Sequence, residues 1–245
     1  MKIELFIPCF VDQLYPETAF NTIKILEKAG CEIVYNPKQT CCGQPAYNAG
    51  YWEQAKEIGT KFLADFSETQ YIVAPSASCV GMVKTGYNDL FTNTMVHNKC
   101  RSLQANIFEL SDFLINVLKK DYFGAELEGK AVYHDSCSGL RECKIKAEPR
   151  QLLSRVIGLE MLEMKDTDMC CGFGGTFAVK FDAISSAMAE QKVNNALEMD
   201  ADYIISTDLS CLMHLDGYIQ KNNLSIKTMH LADVLANGWL ESTEY

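Results

Sequence analysis

The sequence predicts an α/β protein made of two pseudo-twofold-related repeats, each a small, mainly parallel sheet with helices on both faces. Three observations carry this reading. Apolar runs of strand length alternate with amphipathic stretches of helix length along all 245 residues. The first three runs of each half lead into a cysteine or a Cys-Cys-Gly loop, and the order of the first half recurs in the second. Strands alternating with helices imply parallel pairing through crossover connections. The repeats are expected to span residues 1–122 and 123–245.

The elements follow in order. KIELFIPC (2–9) and KAVYHDSC (130–137) are apolar runs that close on Cys9 and Cys137. Helices are expected over PETAFNTIKILEKAG (16–30) and EPRQLLSRVIGLE (148–160), whose apolar residues recur every three or four positions. Pro16 and Pro149 suit a first helical turn, and Gly30 suits a helix end. Second strands at CEIVYNP (31–37) and MLEMK (161–165) lead to Cys41-Cys42-Gly43 and Cys170-Cys171-Gly172. Helices at about 51–68 and 182–199 then precede the strands QYIVAPSAS (70–78) and DYIISTDLS (202–210), which deliver Cys79 and Cys211. The halves close alike, IFELSDFLIN (107–116) matching TMHLADVLAN (228–237) at Leu110/Leu231, Asp112/Asp233, Leu114/Leu235 and Asn116/Asn237. Each cysteine of the pattern then falls just past the carboxyl end of a strand, where ligands collect in open α/β sheets.

The spacing of the cysteines is the chemical signal. The gaps from first cysteine to pair are 32 (9 to 41) and 33 (137 to 170), and those from pair to last are 37 (42 to 79) and 40 (171 to 211). Eight of the eleven cysteines therefore form two copies of one pattern. Four converging thiolates suit zinc or iron–sulfur iron and repel hard cations. Disulfides are the rival. Against them, MKIELFIPCF carries Glu4 within its short apolar stretch and no small-residue cleavage site, unlike a secretory leader, and no apolar run reaches membrane-spanning length. A cytoplasmic protein is expected, and in a reducing compartment many cysteines point to metal or catalysis. The net charge of −10 disfavours sequence-independent binding to nucleic acid or anionic membrane.

The Cys-Cys-Gly triplet adds detail. Adjacent side chains reach one centre only if the backbone turns sharply, and a following glycine permits that turn. A lone tetrahedral ion is more often gripped by C-x-x-C, which neither half contains. Neighbouring thiolates can bind different irons, so the pair favours a cluster, with zinc in one or both sites as the alternative.

The spacing Cys-x₃₁-Cys-Cys-Gly-x₃₅-Cys and its repeat resemble the cysteine-rich CCG domain family, which includes the cysteine-rich component of heterodisulfide reductase and the iron–sulfur component of glycolate oxidase. YHDSCSGLRE (133–142) and CCGFGGTF (170–177) are most similar to its lactate utilization protein A branch. The resemblance implies iron–sulfur clusters of [4Fe–4S] type, one per repeat, held by Cys9, Cys41, Cys42 and Cys79 and by Cys137, Cys170, Cys171 and Cys211. It implies an electron-transfer subunit of a multicomponent L-lactate oxidising system, inactive alone. The implied partners are a larger ferredoxin-containing iron–sulfur subunit and a third small subunit. A heterodisulfide-reductase-like thiol/disulfide redox subunit and a structural zinc protein are the alternatives. The chain departs from the reductase pattern where a last cysteine would stand: Met82 and His214 occupy those places. His214 is a candidate further ligand through its imidazole, with packing beneath the site as the other reading.

Other residues carry weaker signals. Cys31 and Cys100 have no counterpart in the opposite half and are read as packing thiols. Cys143, six residues after Cys137, is read the same way, with a fifth-thiol role as the alternative. His134, three residues before Cys137, is a candidate to orient a thiolate or relay a proton. Gly172-Phe173-Gly174-Gly175 lacks the strand-turn-helix setting and acidic residue of a dinucleotide loop, so no NAD or FAD site is expected.

Overall fold

The alternation resolves, in a computed structural model describing residues 1–66, 70–92 and 95–239, into two four-stranded, wholly parallel sheets. The first contains β1 (Lys2–Leu5), β2 (Glu32–Tyr35), β3 (Tyr71–Ala74) and β4 (Ile107–Glu109). The second contains β5 (Glu126–Tyr133), β6 (Ile157–Leu162), β7 (Tyr203–Ser206) and β8 (Lys227–His230). The orders β2-β1-β3-β4 and β6-β5-β7-β8 are one winding built twice. The chain runs from β1 outward to β2 and then crosses back to β3. The winding therefore reverses between β1 and β3, and again between β5 and β7, opening a crevice at their carboxyl ends.

Apolar residues fix the strands in place. Ile3, Leu5, Ile72 and Val73 in one sheet, and Val132, Ile204 and Ile205 in the other, are fully buried. The helix Pro16–Lys28 begins on its proline, buries Thr18, Thr22, Ile25 and Leu26 at helical spacing, and gives way to Gly30 with φ +82°. The helices Trp52–Asp65 and Asp182–Leu197 occupy equivalent places. Residues 67 and 68 of the helix expected over 51–68 lie outside the described residues.

One stretch differs from expectation. The helix predicted over 148–160 ends at Leu153, and β6 runs over Ile157–Leu162 where helix and then a strand from 161 were expected. Gly158 sits at φ +85°, which breaks a helix, and the eight-residue β5 offers a long edge that captures residues 157–162 through a register shift between Glu126 and Gly129.

The halves clasp each other reciprocally. The helix Leu231–Leu235 of the second packs on Pro16–Lys28 of the first, and Thr18 Oγ and Asn21 Nδ2 donate to Asp233 at 2.8 and 2.9 Å. In return Leu110–Asp112 packs on Ala147–Leu153, and Asn116 Nδ2 donates to Glu148 at 2.9 Å. Among the described residues, no helix is long and apolar enough to cross a membrane.

Candidate metal centre

Each thiol quartet is assembled from the three loops that follow the first three strands of its sheet. Cys9 opens the helix Cys9–Leu14 just beyond β1, and Cys79 lies in the helix Ala77–Gly81 beyond β3. The two strands flank the point where the winding reverses. Cys41-Cys42-Gly43 arrives from β2 and turns on Gly43 at φ +87°. A side chain there would press to 3.2 Å from the Ala55 carbonyl. Freed to turn, Gly43 N–H donates to Cys41 Sγ at 3.4 Å. The second repeat does the same: Gly172 has φ +94°, its N–H donates to Cys170 Sγ at 3.4 Å, and a Cβ would collide with the Ser185 carbonyl at 2.6 Å.

Thiol contacts run along each quartet. Cys9 Sγ stands 3.7 Å from Cys41 Sγ, while Cys42 is close enough to both Cys41 and Cys79 for their thiols to perturb one another. The series Cys137, Cys170, Cys171, Cys211 repeats it. Hydrogen bonds from Cys42 and Cys9, aided by Gly43 N–H, pull Cys41 down to about 3. Those from Cys137 and Cys171, aided by Gly172, pull Cys170 down to about 2. Cys9, Cys42, Cys137 and Cys171 are pushed up, because they donate to that thiolate and are desolvated.

All eight cysteines line one cavity of about 610 Å³ between the halves. Phe10 and Phe173 meet edge to face across it, with centroids 5.9 Å apart, and the carboxylates of Glu142 and Asp208 also reach it. The sequence suggests two separate sites; the docking of the sheets makes them neighbours. The donor set fits thiophilic metal: thiols converge in fours, glycine turns admit a bulky group, and no buried ammonium or guanidinium lines the cavity among the described residues.

The cysteine-rich domain model, CCG, matches residues 3–84 and again 131–216, bracketing both quartets. The chain belongs to the CCG family. It is similar to Lactate utilization protein A 2 of Bacillus cereus (strain Q1), 41% identical over 97% of this chain and 99% of that protein. Lactate utilization protein A of Halalkalibacterium halodurans is 42% identical over 96% of each. Among solved structures, a hypothetical protein from Helicobacter pylori shares the fold, with a TM-score of 0.58 at 13% identity, over 98% of this chain and 49% of that one.

The CCG repeats differ behind their thiols. Neither His134 nor His214 lines the cavity. His214 Nε2 lies 3.1 Å from Ser185 Oγ and 3.3 Å from the Ser185 carbonyl, while Ser185 Oγ donates to Gly172 O at 2.8 Å. His214 thereby props the Cys-Cys-Gly turn. Met82 is buried beside Gly86. Cys143 donates to the Ala77 carbonyl at 3.4 Å, and burial pushes its thiol up. Cys31 and Cys100 are buried away from the cavity.

His134, read from the sequence as a candidate to orient a thiolate or relay a proton, stands against the second quartet. It is wholly buried, and a ring nitrogen, Cys171 Sγ and Cys211 Sγ all lie within 4.8 Å of one another. Burial, together with the Lys192 ammonium, holds it down at about 3. Lys192 is itself fully buried and donates to the carbonyls of Asp166 and Thr167 at 2.5 and 3.1 Å. A comparison between the repeats could have flagged both residues. Phe6 stands at the place of His134 and Phe62 at that of Lys192, and these two rings pack edge to face at 4.9 Å.

Proposed function

We propose that this chain is an iron–sulfur electron-transfer subunit of a multicomponent L-lactate oxidising system. The observation that carries the reading is the convergence of two thiol quartets on one cavity, supported by the near full-length likeness to proteins named for lactate utilization. Cys9, Cys41, Cys42 and Cys79 would hold one cluster of [4Fe–4S] type, and Cys137, Cys170, Cys171 and Cys211 the other. Such clusters supply one-electron transfer.

The chain's own residues prepare the site. Gly43 and Gly172 present N–H groups that stabilise thiolate charge on Cys41 and Cys170. Phe10 and Phe173 wall the cavity against water, and the Glu142 carboxyl, raised by burial, also lines it. Oxidising a 2-hydroxy acid releases two electrons, which two adjacent one-electron centres suit. The partners would be a larger ferredoxin-containing iron–sulfur subunit and a third small subunit.

The test is reconstitution. L-lactate-dependent acceptor reduction should require all three components and should disappear when Cys41-Cys42 or Cys170-Cys171 is replaced by serine. Robust turnover by the isolated, metal-free chain would overturn the reading. Iron and acid-labile sulfide in anaerobically purified protein separate it from a structural zinc protein.

A further inference from the structure

We propose that His134 is a nitrogen ligand to the metal centre of the second repeat, giving that centre thiolate and imidazole donors while the first takes thiolates alone. The inference rests on the metal-binding part of the proposed function, and is independent of lactate.

The ring's isolation is the first argument. His134 is 0% exposed, and neither Nδ1 nor Nε2 has a hydrogen-bond partner. A buried polar group left unpaired is costly, and His134 leaves both of its ring nitrogens so. The neighbouring carboxylate is already engaged, since Asp135 receives both Arg150 NH groups at 2.9 Å. The Lys192 ammonium is spent on two carbonyls. A neutral imidazole carries one lone-pair nitrogen, and no donor of the protein meets it here.

Geometry supplies the second argument. Among the described residues, the ligand-bearing atoms gathered with the ring are sulfurs of the quartet: one nitrogen, Cys171 Sγ and Cys211 Sγ fall within 4.8 Å of one another. Donors sharing one tetrahedral ion at bonds of roughly 2.0–2.3 Å stand about 3.3–3.8 Å apart, so closure by roughly an ångström brings the ring within bonding reach of a metal atom held by these thiols. The backbone beneath is fixed, with His134 N–H donating to Ile205 O at 2.8 Å and its carbonyl accepting from Ser206 Oγ at 3.0 Å. The Cα–Cβ direction of His134 is therefore set by the sheet.

The two repeats also contrast at these places. Where the second has His134 and Lys192, the first has Phe6 and Phe62, both fully buried. The fold is satisfied by two phenyl rings at these places, so a polar pair in their stead points to a chemical demand. His214, the other histidine near the quartet, has its Nε2 directed at Ser185.

Pulsed EPR on the anaerobically reconstituted full chain, labelled with ¹⁵N-histidine and reduced, tests the proposal. A strongly coupled histidine nitrogen is expected in the parent and in His214→Gln, and its loss is expected in His134→Phe, which copies the first repeat and so should pack. Histidine coupling surviving in His134→Phe overturns the assignment. Full iron occupancy with no coupling, or with only the weak coupling of an N–H donor, overturns the inference and leaves the electron-transfer reading standing. A chain that takes up neither iron nor cobalt(II) at either quartet overturns both.

Discussion

Ser78 of the first CCG repeat gives both its backbone N–H and its hydroxyl to the carboxylate of Asp208 in the second, each at 2.9 Å. Ser210 Oγ adds a third bond at 3.0 Å. Asp208 is 2% exposed, and its burial raises its pKa against the pull of these donors. Ser78 immediately precedes Cys79, and Asp208 lies three residues before Cys211. One carboxylate therefore ties together the last thiols of both quartets.

Asp208→Ala should leave the Ser78 N–H buried without an acceptor and cost roughly 2–4 kcal/mol. Asp208→Asn keeps the shape and one acceptor oxygen, and should lose less. Denaturant unfolding of the anaerobic protein measures both. An alanine variant as stable as the parent would show the tie to be idle.

Cys42→Ser and Cys171→Ser should each remove iron and charge-transfer absorbance from one site, because each thiol is the central link of its quartet. Cys100→Ser, buried in the helix His97–Asn106 away from the cavity, should keep both. Equal iron loss in all three would break the assignment of the quartets.

The α/β class and the doubled unit are legible in the sequence because strand-length apolar runs and the Cys-Cys-Gly loops recur with little insertion between halves. The eight-cysteine pattern is legible for the same reason, since a shared donor set must sit at equivalent loop positions. The start of β6 is not, because VIGLE reads equally as helix or strand and only the long edge of β5 decides it. Nor is the single cavity, since spacing along a chain says nothing about how two sheets dock. Lys192 stands out only once it is aligned with Phe62 on the buried face of the equivalent helix.

Glu109 gives the fold a pH dependence. It is fully buried, its Oε2 accepts from the N–H groups of Ser111 and Asp112 at 2.8 and 3.3 Å, and desolvation pushes it from 4.5 up to about 8. Between those values the unfolded chain has lost this proton and the folded chain has kept it. The group's stabilisation is full below about pH 4.5 and declines as pH rises towards 8, by an amount on the order of a few kcal/mol. Glu109→Gln should flatten that decline in unfolding free energies measured from about pH 5 to about pH 8 on the metal-free, reduced chain. Parallel curves for parent and variant would refute it.

The two metal centres should differ in reduction potential, and Lys192 should account for much of the difference. Reduction adds negative charge to a centre already crowded with thiolates, so a nearby buried cation stabilises the reduced state and raises the potential. The second repeat has such a cation in Lys192, whose field reaches Cys171; the first has Phe62 in its place. Through an effective dielectric near 20, one charge about 10 Å away is worth roughly 1–2 kcal/mol, or tens of millivolts for one electron. Lys192→Met keeps the length and removes the charge, so it should lower one of two potentials in an anaerobic titration followed by EPR. Phe62→Leu, neutral in both forms, should leave both nearly unmoved. If Lys192→Met shifted both potentials equally, or neither, the ammonium would not be what distinguishes the second centre from the first.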